Sequence, residues 1–127
     1  MKKIIETKDA PAPVGPYNQA IVSDGIVYTA GQIPIDPKTN TLLTGNVQEQ
    51  TRLVLENLGA VLKASGSDFK HVLKTTVYLK DMSHFPLMNE VYAEFFSESP
   101  PARSAVEVSR LPKDVLVEID CMAIVEE

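Results

Sequence analysis

The sequence holds a single cysteine, Cys121, and only two histidines, His71 and His84. One thiol excludes an intrachain disulfide, and two scattered imidazoles cannot make a ligand cluster, so no metal is expected. Positive charge is short as well: 12 Lys and Arg stand against 17 Asp and Glu, a net charge of −5. General affinity for nucleic-acid phosphates usually rests on a basic patch, so no nucleic-acid partner is expected. No apolar run approaches the roughly 20 residues of a membrane span, and none of signal length follows Met1-Lys2-Lys3. A reducing, cytoplasmic location without a membrane partner is the expectation. Gly15, Gly31, Gly45 and Gly66 are scattered, and nothing matches a phosphate-binding loop. With both histidines in polar loop or helix-start contexts, no Ser/His/Asp or Cys/His triad can be assembled.

What is present is ordinary globular material, 127 residues with 44% hydrophobic and 23% charged, read as one domain over 1–127 with room for a real core. Three prolines in Asp9 to Pro16 prevent a helix and favour extended backbone ahead of Tyr17. Gln19 to Ser23 and Ile26 to Ala30 are strand-like, and Asp24-Gly25 between them predicts a tight hairpin. Gly31 to Pro37 leaves as a loop. Gly31 serves there either as a plain turn or as a ligand edge, through close backbone approach or positive φ. Val47, Thr51, Val54, Leu58, Val61 and Leu62 recur at helical spacing, with Asn46 as N-cap, Glu49 three residues on, and Gly66 as the stop. Val72 to Leu79 is β-like. A second helix is predicted from near Ser83, with Phe85, Met88, Tyr92 and Phe95 as its buried stripe and Asn89 at the border of that face.

Two β-like runs, Ser104 to Ser109 and Val115 to Asp120, flank a Leu-Pro-Lys segment and predict a hairpin with Ser109 opposite Asp114. That register gathers Val106, Val108, Val115, Val117 and Ile119 on a core face. It puts Arg103 and Glu118 on the opposite face two rungs apart, about 7 Å, with Ala105 beside Glu118. A guanidinium grips a carboxylate with two parallel bonds, and a nearby acid can take a proton from water, which suits hydrolysis of a small carboxylic acid. The competing reading is an ordinary cross-strand ion pair, because Arg103 also stands opposite Asp120, with Glu118 pairing across subunits. Element order predicts an α+β fold, a mainly antiparallel six-stranded sheet with two helices on one face. The last strand runs on as Cys121-Met122-Ala123-Ile124-Val125, apolar on both faces, so its second face is expected to meet another subunit.

Gly15-Pro16-Tyr17, Ala30-Gly31-Gln32-Ile33-Pro34, Asn89-Glu90-Val91-Tyr92, Pro101-Ala102-Arg103-Ser104 and Arg110-Leu111-Pro112-Lys113-Asp114 through Glu118 together resemble the RidA family, the reactive intermediate deaminases also called YjgF. The resemblance covers nearly the whole chain. It implies a chorismate-mutase-like homotrimer with a ligand cleft between subunits. It also implies hydrolysis of 2-imino acids, such as 2-iminobutanoate and 2-iminopropanoate, to 2-oxo acids and ammonia with no cofactor. Arg103 matches the arginine that holds the substrate carboxylate, and Glu118 the glutamate that positions or activates water. Tyr17 and Asn89 match cleft-lining positions, and Gly31 a backbone contact near the imine. Many members carry cysteine where this chain has Ala105; a thiol nucleophile is thereby excluded, while the backbone N–H at 105 can still donate to a carboxylate. The rival function classes are a non-enzymatic 2-oxo-acid-binding or chaperone-like protein and a ribonuclease or translation inhibitor.

Overall fold

Asp24 and Gly25 turn the chain with φ of 50° and 77°, the double left-handed geometry of a two-residue hairpin. They fold β2 (Ala20–Ser23) back on β3 (Ile26–Thr29), and β1 (Lys3–Ile5) adds to the free side of β2. The segment after β3, expected to be a loop, holds a small hairpin of β4 (Ile35–Asp36) with β5 (Thr41–Leu42). Its turn is closed where Asp36 Oδ1 accepts from Lys38 N at 2.9 Å. Then follow α1 (Val47–Ser65), β6 (Val72–Leu79), α2 (Phe85–Phe95), β7 (Ala102–Glu107) and β8 (Val117–Ile124). This computed structural model describes residues 1–126.

Helix α1 ends where its caps say it should. Asn46 Oδ1 accepts from Glu49 N at 2.9 Å, and Glu49 Oε1 accepts from Asn46 N at 3.0 Å, so two orphan amides are satisfied reciprocally. Gly66 closes the helix in the left-handed conformation at φ 83°. The expected stripe is fully internal: Val54, Leu58, Val61 and Leu62 are all at 0% exposure. In α2, Met88 and Tyr92 are buried as expected, and Pro86 lies harmlessly in the first turn.

The main sheet runs β1-β2-β3-β8-β6-β7. Every neighbouring pair is antiparallel except β6 and β7, which are parallel. The fold is therefore α+β with two helices on one face, and the sheet is mixed. Val77 and Leu79 of β6 and Val117, Ile119, Cys121 and Ala123 of β8 share one core with both helices.

The predicted hairpin between the last two strands does not form. β8 lies between β3 and β6, and β7 pairs with the far side of β6. The cause is the segment β6–α2–β7, in which a helix carries the chain back to the start of its own strand, the ordinary route to a parallel neighbour. Between β7 and β8 the chain must then cross β6, and it does so through a turn at Pro112–Asp114 with Lys113 and Asp114 at φ 55° and 58°. Of the predicted core face, Val115, Val117 and Ile119 are buried, whereas Val106 is 44% exposed.

At the end of the sheet His71 lies between two acids, with Nδ1 2.7 Å from Asp68 Oδ1 and Nε2 2.5 Å from Glu126 Oε1. The hydrogen bond to Asp68 is the main cause that raises the His71 pKa above 6.5 and lowers that of Asp68 below 3.8. A raised histidine stabilises fully below its unfolded value and loses that contribution as pH rises through the folded value. A lowered aspartate acts above its unfolded value and fails as pH falls through its own. The Val125 amide, bonded to Gly25 O at 2.9 Å, should thus lose hydrogen-exchange protection as pH rises above about 6.5, and His71→Gln should flatten that dependence. Replacing Asn46 by Ala should cost about 1 kcal/mol, read as a lower urea midpoint at unchanged slope.

Candidate functional site

Phe85, Asn89 and Tyr92 fall at i, i+4 and i+7 of α2 and so share one face, and that face lies over the start of β7. Arg103 enters it. Its guanidinium carbon sits 5.2 Å from the Phe85 ring centroid and 4.7 Å from that of Tyr92, while Nη1 donates to Asn89 Oδ1 at 2.7 Å. The Tyr92 hydroxyl is fixed in turn by Thr75 Oγ1 at 2.8 Å. Two rings and one neutral acceptor orient the cation without neutralising it. Among the described residues no carboxylate lies within ion-pair distance of Arg103. The arrangement is a charged fork with donors left over for an anion.

Glu118 belongs to a second cluster. Its carboxylate presses against Gly31, where an added Cβ would lie 2.9 Å from Glu118 Cδ. The bare Cα of Gly31 leaves room for that carboxylate, whose flexible end is what an added Cβ would meet first. Gly31 and Tyr17 line a cavity of about 120 Å³ together with Gln19, Gln32 and Ile33. Half-burial is the chief cause pushing the Glu118 carboxyl above its ordinary range, and the nearby Asp120 charge adds to it. Asp120 is itself raised by burial and accepts from the Tyr78 hydroxyl at 3.1 Å.

These two clusters lie on opposite faces of the sheet. Arg103 pairs in register with Thr75, which is fully buried under the helices. Glu118 pairs with Tyr78, on the alternate set of β6 residues that points away from them. The expectation that Arg103 and Glu118 share a face two rungs apart is corrected by the same β8 insertion that removes the hairpin. Ala105 pairs with Val77 and packs against the core on the Arg103 side, so it is not beside Glu118. The cross-strand ion pair between Arg103 and Asp120 does not form either, since Asp120 stands opposite Thr76 on the other face. Asn89, placed by spacing at a helix border, turns out to hold the arginine. The aromatic pair Phe85 and Tyr92 was read as core alone. Their spacing around Asn89 was the available signal.

Fold and clusters define an α+β protein in which two helices back a mixed sheet and each sheet face carries its own polar cluster. The family model described as Endoribonuclease L-PSP matches residues 7–125, and the chain belongs to that family, the RidA or YjgF family. A "RutC family protein" of Pyrococcus horikoshii is 59% identical over 97% of this chain and 98% of its own. The mouse protein named 2-iminobutanoate/2-iminopropanoate deaminase is 45% identical over 98% of this chain and 92% of its own. The crystal structure of Escherichia coli TdcF with bound serine superposes with a TM-score of 0.92 at 44% identity, covering 98% of this chain and 99% of that one. Among the described residues no group of three His, Cys, Asp or Glu is placed to hold a metal, and no helix is long and apolar enough to cross a membrane.

Gly31→Ala should displace the Glu118 carboxylate, whose side chain can swing, while the Gln32 and Ile119 bridge next to it persists. A crystal structure of the variant with Glu118 unmoved would contradict that reading of the contact.

Proposed function

We propose that this chain hydrolyses small 2-imino acids, 2-iminobutanoate and 2-iminopropanoate among them, to 2-oxo acids and ammonia without a cofactor. The observation that carries the reading is the Arg103 guanidinium, held by Asn89 and two rings and free of any acid partner among the described residues. Such a cation is an anchor for a substrate carboxylate. Support comes from the mouse relative's name and from the serine bound by TdcF, an amino acid whose carboxylate is of the same kind.

Because Arg103 and Glu118 point to opposite faces, a small ligand reaches both only if they come from two copies. A homotrimer with clefts between subunits meets that need. The face carrying Glu118 also exposes Tyr28, Val106, Met122 and Ile124, an apolar surface suited to burial against another copy. Arg103 of one subunit then holds the carboxylate, with the N–H of Ala105 as a second donor and Asn89 keeping the fork aimed. From the neighbouring copy, Glu118 presents water beside Gly31 and Tyr17.

The chemistry needs little more. An imine carbon is electrophilic already, so fixing the carboxylate and presenting water supplies proximity and orientation. Glu118 takes a water proton as the oxygen bonds to carbon and returns it to nitrogen, giving the carbinolamine. The carboxylate then takes the hydroxyl proton and passes it to the same nitrogen as the C–N bond breaks, so that a 2-oxo acid and ammonia leave.

In an assay coupled to a threonine dehydratase, Arg103→Ala should lower imine hydrolysis at least a hundredfold, on the order of 3 kcal/mol for a lost charge-assisted contact. Glu118→Gln should lose turnover to a similar degree yet keep 2-oxobutanoate binding within a few fold. Full activity of the Arg103 variant would move the site elsewhere. Saturable 2-oxobutanoate binding with no acceleration of imine decay would make this a binding protein.

A further inference from the structure

Next to Glu118 the outer face of β8 carries a second carboxylate for which the reaction above has no use. Asp120 follows two residues on, so both side chains leave the strand on the same side about 7 Å apart at their roots. Tyr78, the Cα partner of Glu118 on β6, reaches diagonally with its hydroxyl to Asp120 Oδ2 at 3.1 Å. The two acids are thereby tied to one aromatic side chain, and both are half-buried. We propose that Asp120, pinned by the Tyr78 hydroxyl, is a positioning residue for the reaction: its charge beside Glu118 makes that carboxylate a stronger proton acceptor. This inference rests on the imine-hydrolase reading and deepens it.

The physical case begins with like charges sharing a poorly hydrated surface. Each disfavours ionisation of the other, and the one with the better hydrogen-bond donor stays charged. Tyr78 donates to Asp120, and Lys74 on the same strand lies near enough to favour the Asp120 anion. Glu118 has neither and bears the penalty: burial first, and then the Asp120 charge, raise its proton affinity. Other groups facing the pair are few. β7 offers Ser104 and Val106 on this face, neither ionisable, and β3 offers Tyr28, whose Cα partner on β8 is Met122 rather than either acid. A base for water is more effective as its pKa approaches the working pH. Asp120 touches neither water nor substrate in this scheme.

The test is the pH dependence of kcat/KM for imine hydrolysis by the intact protein, in the unsubstituted chain and in the Asp120→Asn and Tyr78→Phe variants. The rate should rise with pH as Glu118 deprotonates. Removing the Asp120 charge should move that acid limb down by about one pH unit, with a several-fold faster rate below the limb, a lower plateau and KM changed less than twofold. Tyr78→Phe weakens the hold on the Asp120 charge and should move the limb the same way by less. Titration of the Glu118 side-chain carboxyl by carbon-13 NMR should show matching shifts, a readout that a merely structural role would leave alone. An unsubstituted chain with no imine hydrolysis removes the reaction and this role with it. An active chain whose acid limb and Glu118 midpoint ignore both substitutions overturns the role of Asp120 alone.

Discussion

Val117, Ile119, Cys121 and Ala123 are essentially without exposure beneath the two helices, and their burial fixes the pleat of β8. Fully removing each larger side chain from water is worth about 1.5–3 kcal/mol, whereas slipping the strand by one residue would drive Glu118 and Asp120 into the core. Two unpaired carboxylates in that interior cost far more than any register-dependent backbone bond returns. The acids are therefore held on the outer face by the packing of their neighbours. The position of Glu118 relative to Gly31 follows from the same constraint, because Gln32 and Ile119 exchange backbone hydrogen bonds at 2.9 and 3.2 Å.

Arg103 obeys the opposite logic. It is on the covered face, where a cation without an acid ought to be unwelcome. The two rings of α2 make the position tolerable, each contributing on the order of 0.5–2 kcal/mol to a partly desolvated guanidinium, and Asn89 satisfies one donor without adding charge. Lysine could not be held this way, since its compact, strongly hydrated ammonium gains less from ring faces and lacks the planar fork. Placement on the edge strand β7 keeps the remaining donors within reach of solvent.

Much of this was legible in the residues. Asn46, Glu49 and Gly66 set the limits of α1 by hydrogen bonds that begin and end within a few residues of one another, and Asp24-Gly25 set the first hairpin in the same local way. The partner of β8 was not legible, because no turn determines it. The turn formers Leu111 to Lys113 serve a crossing over β6 as well as they would serve a hairpin. The face of β7 was misread for a related reason. Alternation separates two sets of side chains but does not say which set is covered when both sheet faces carry apolar residues, and Val106 belongs to the outer one. The last strand itself, apolar on both sides from Cys121 to Val125, did signal that both sheet faces carry apolar side chains.

That two-sided strand ties the acids to the state of the surface around them. Under the proposed assembly, Met122, Ile124, Tyr28 and Val106 lose water against a neighbouring copy, and Glu118 and Asp120 lose some with them. Desolvation already raises both acids, and the Asp120 charge raises Glu118 further, so closing the surface would strengthen the base again. It also brings an arginine from the covered face of one copy towards an acid on the open face of the next, a pairing that no single chain of this fold can make. On that proposal a free protomer would carry an anion anchor and a proton acceptor that cannot act on one molecule, and the assembly that joins them would also raise the proton affinity of the acceptor.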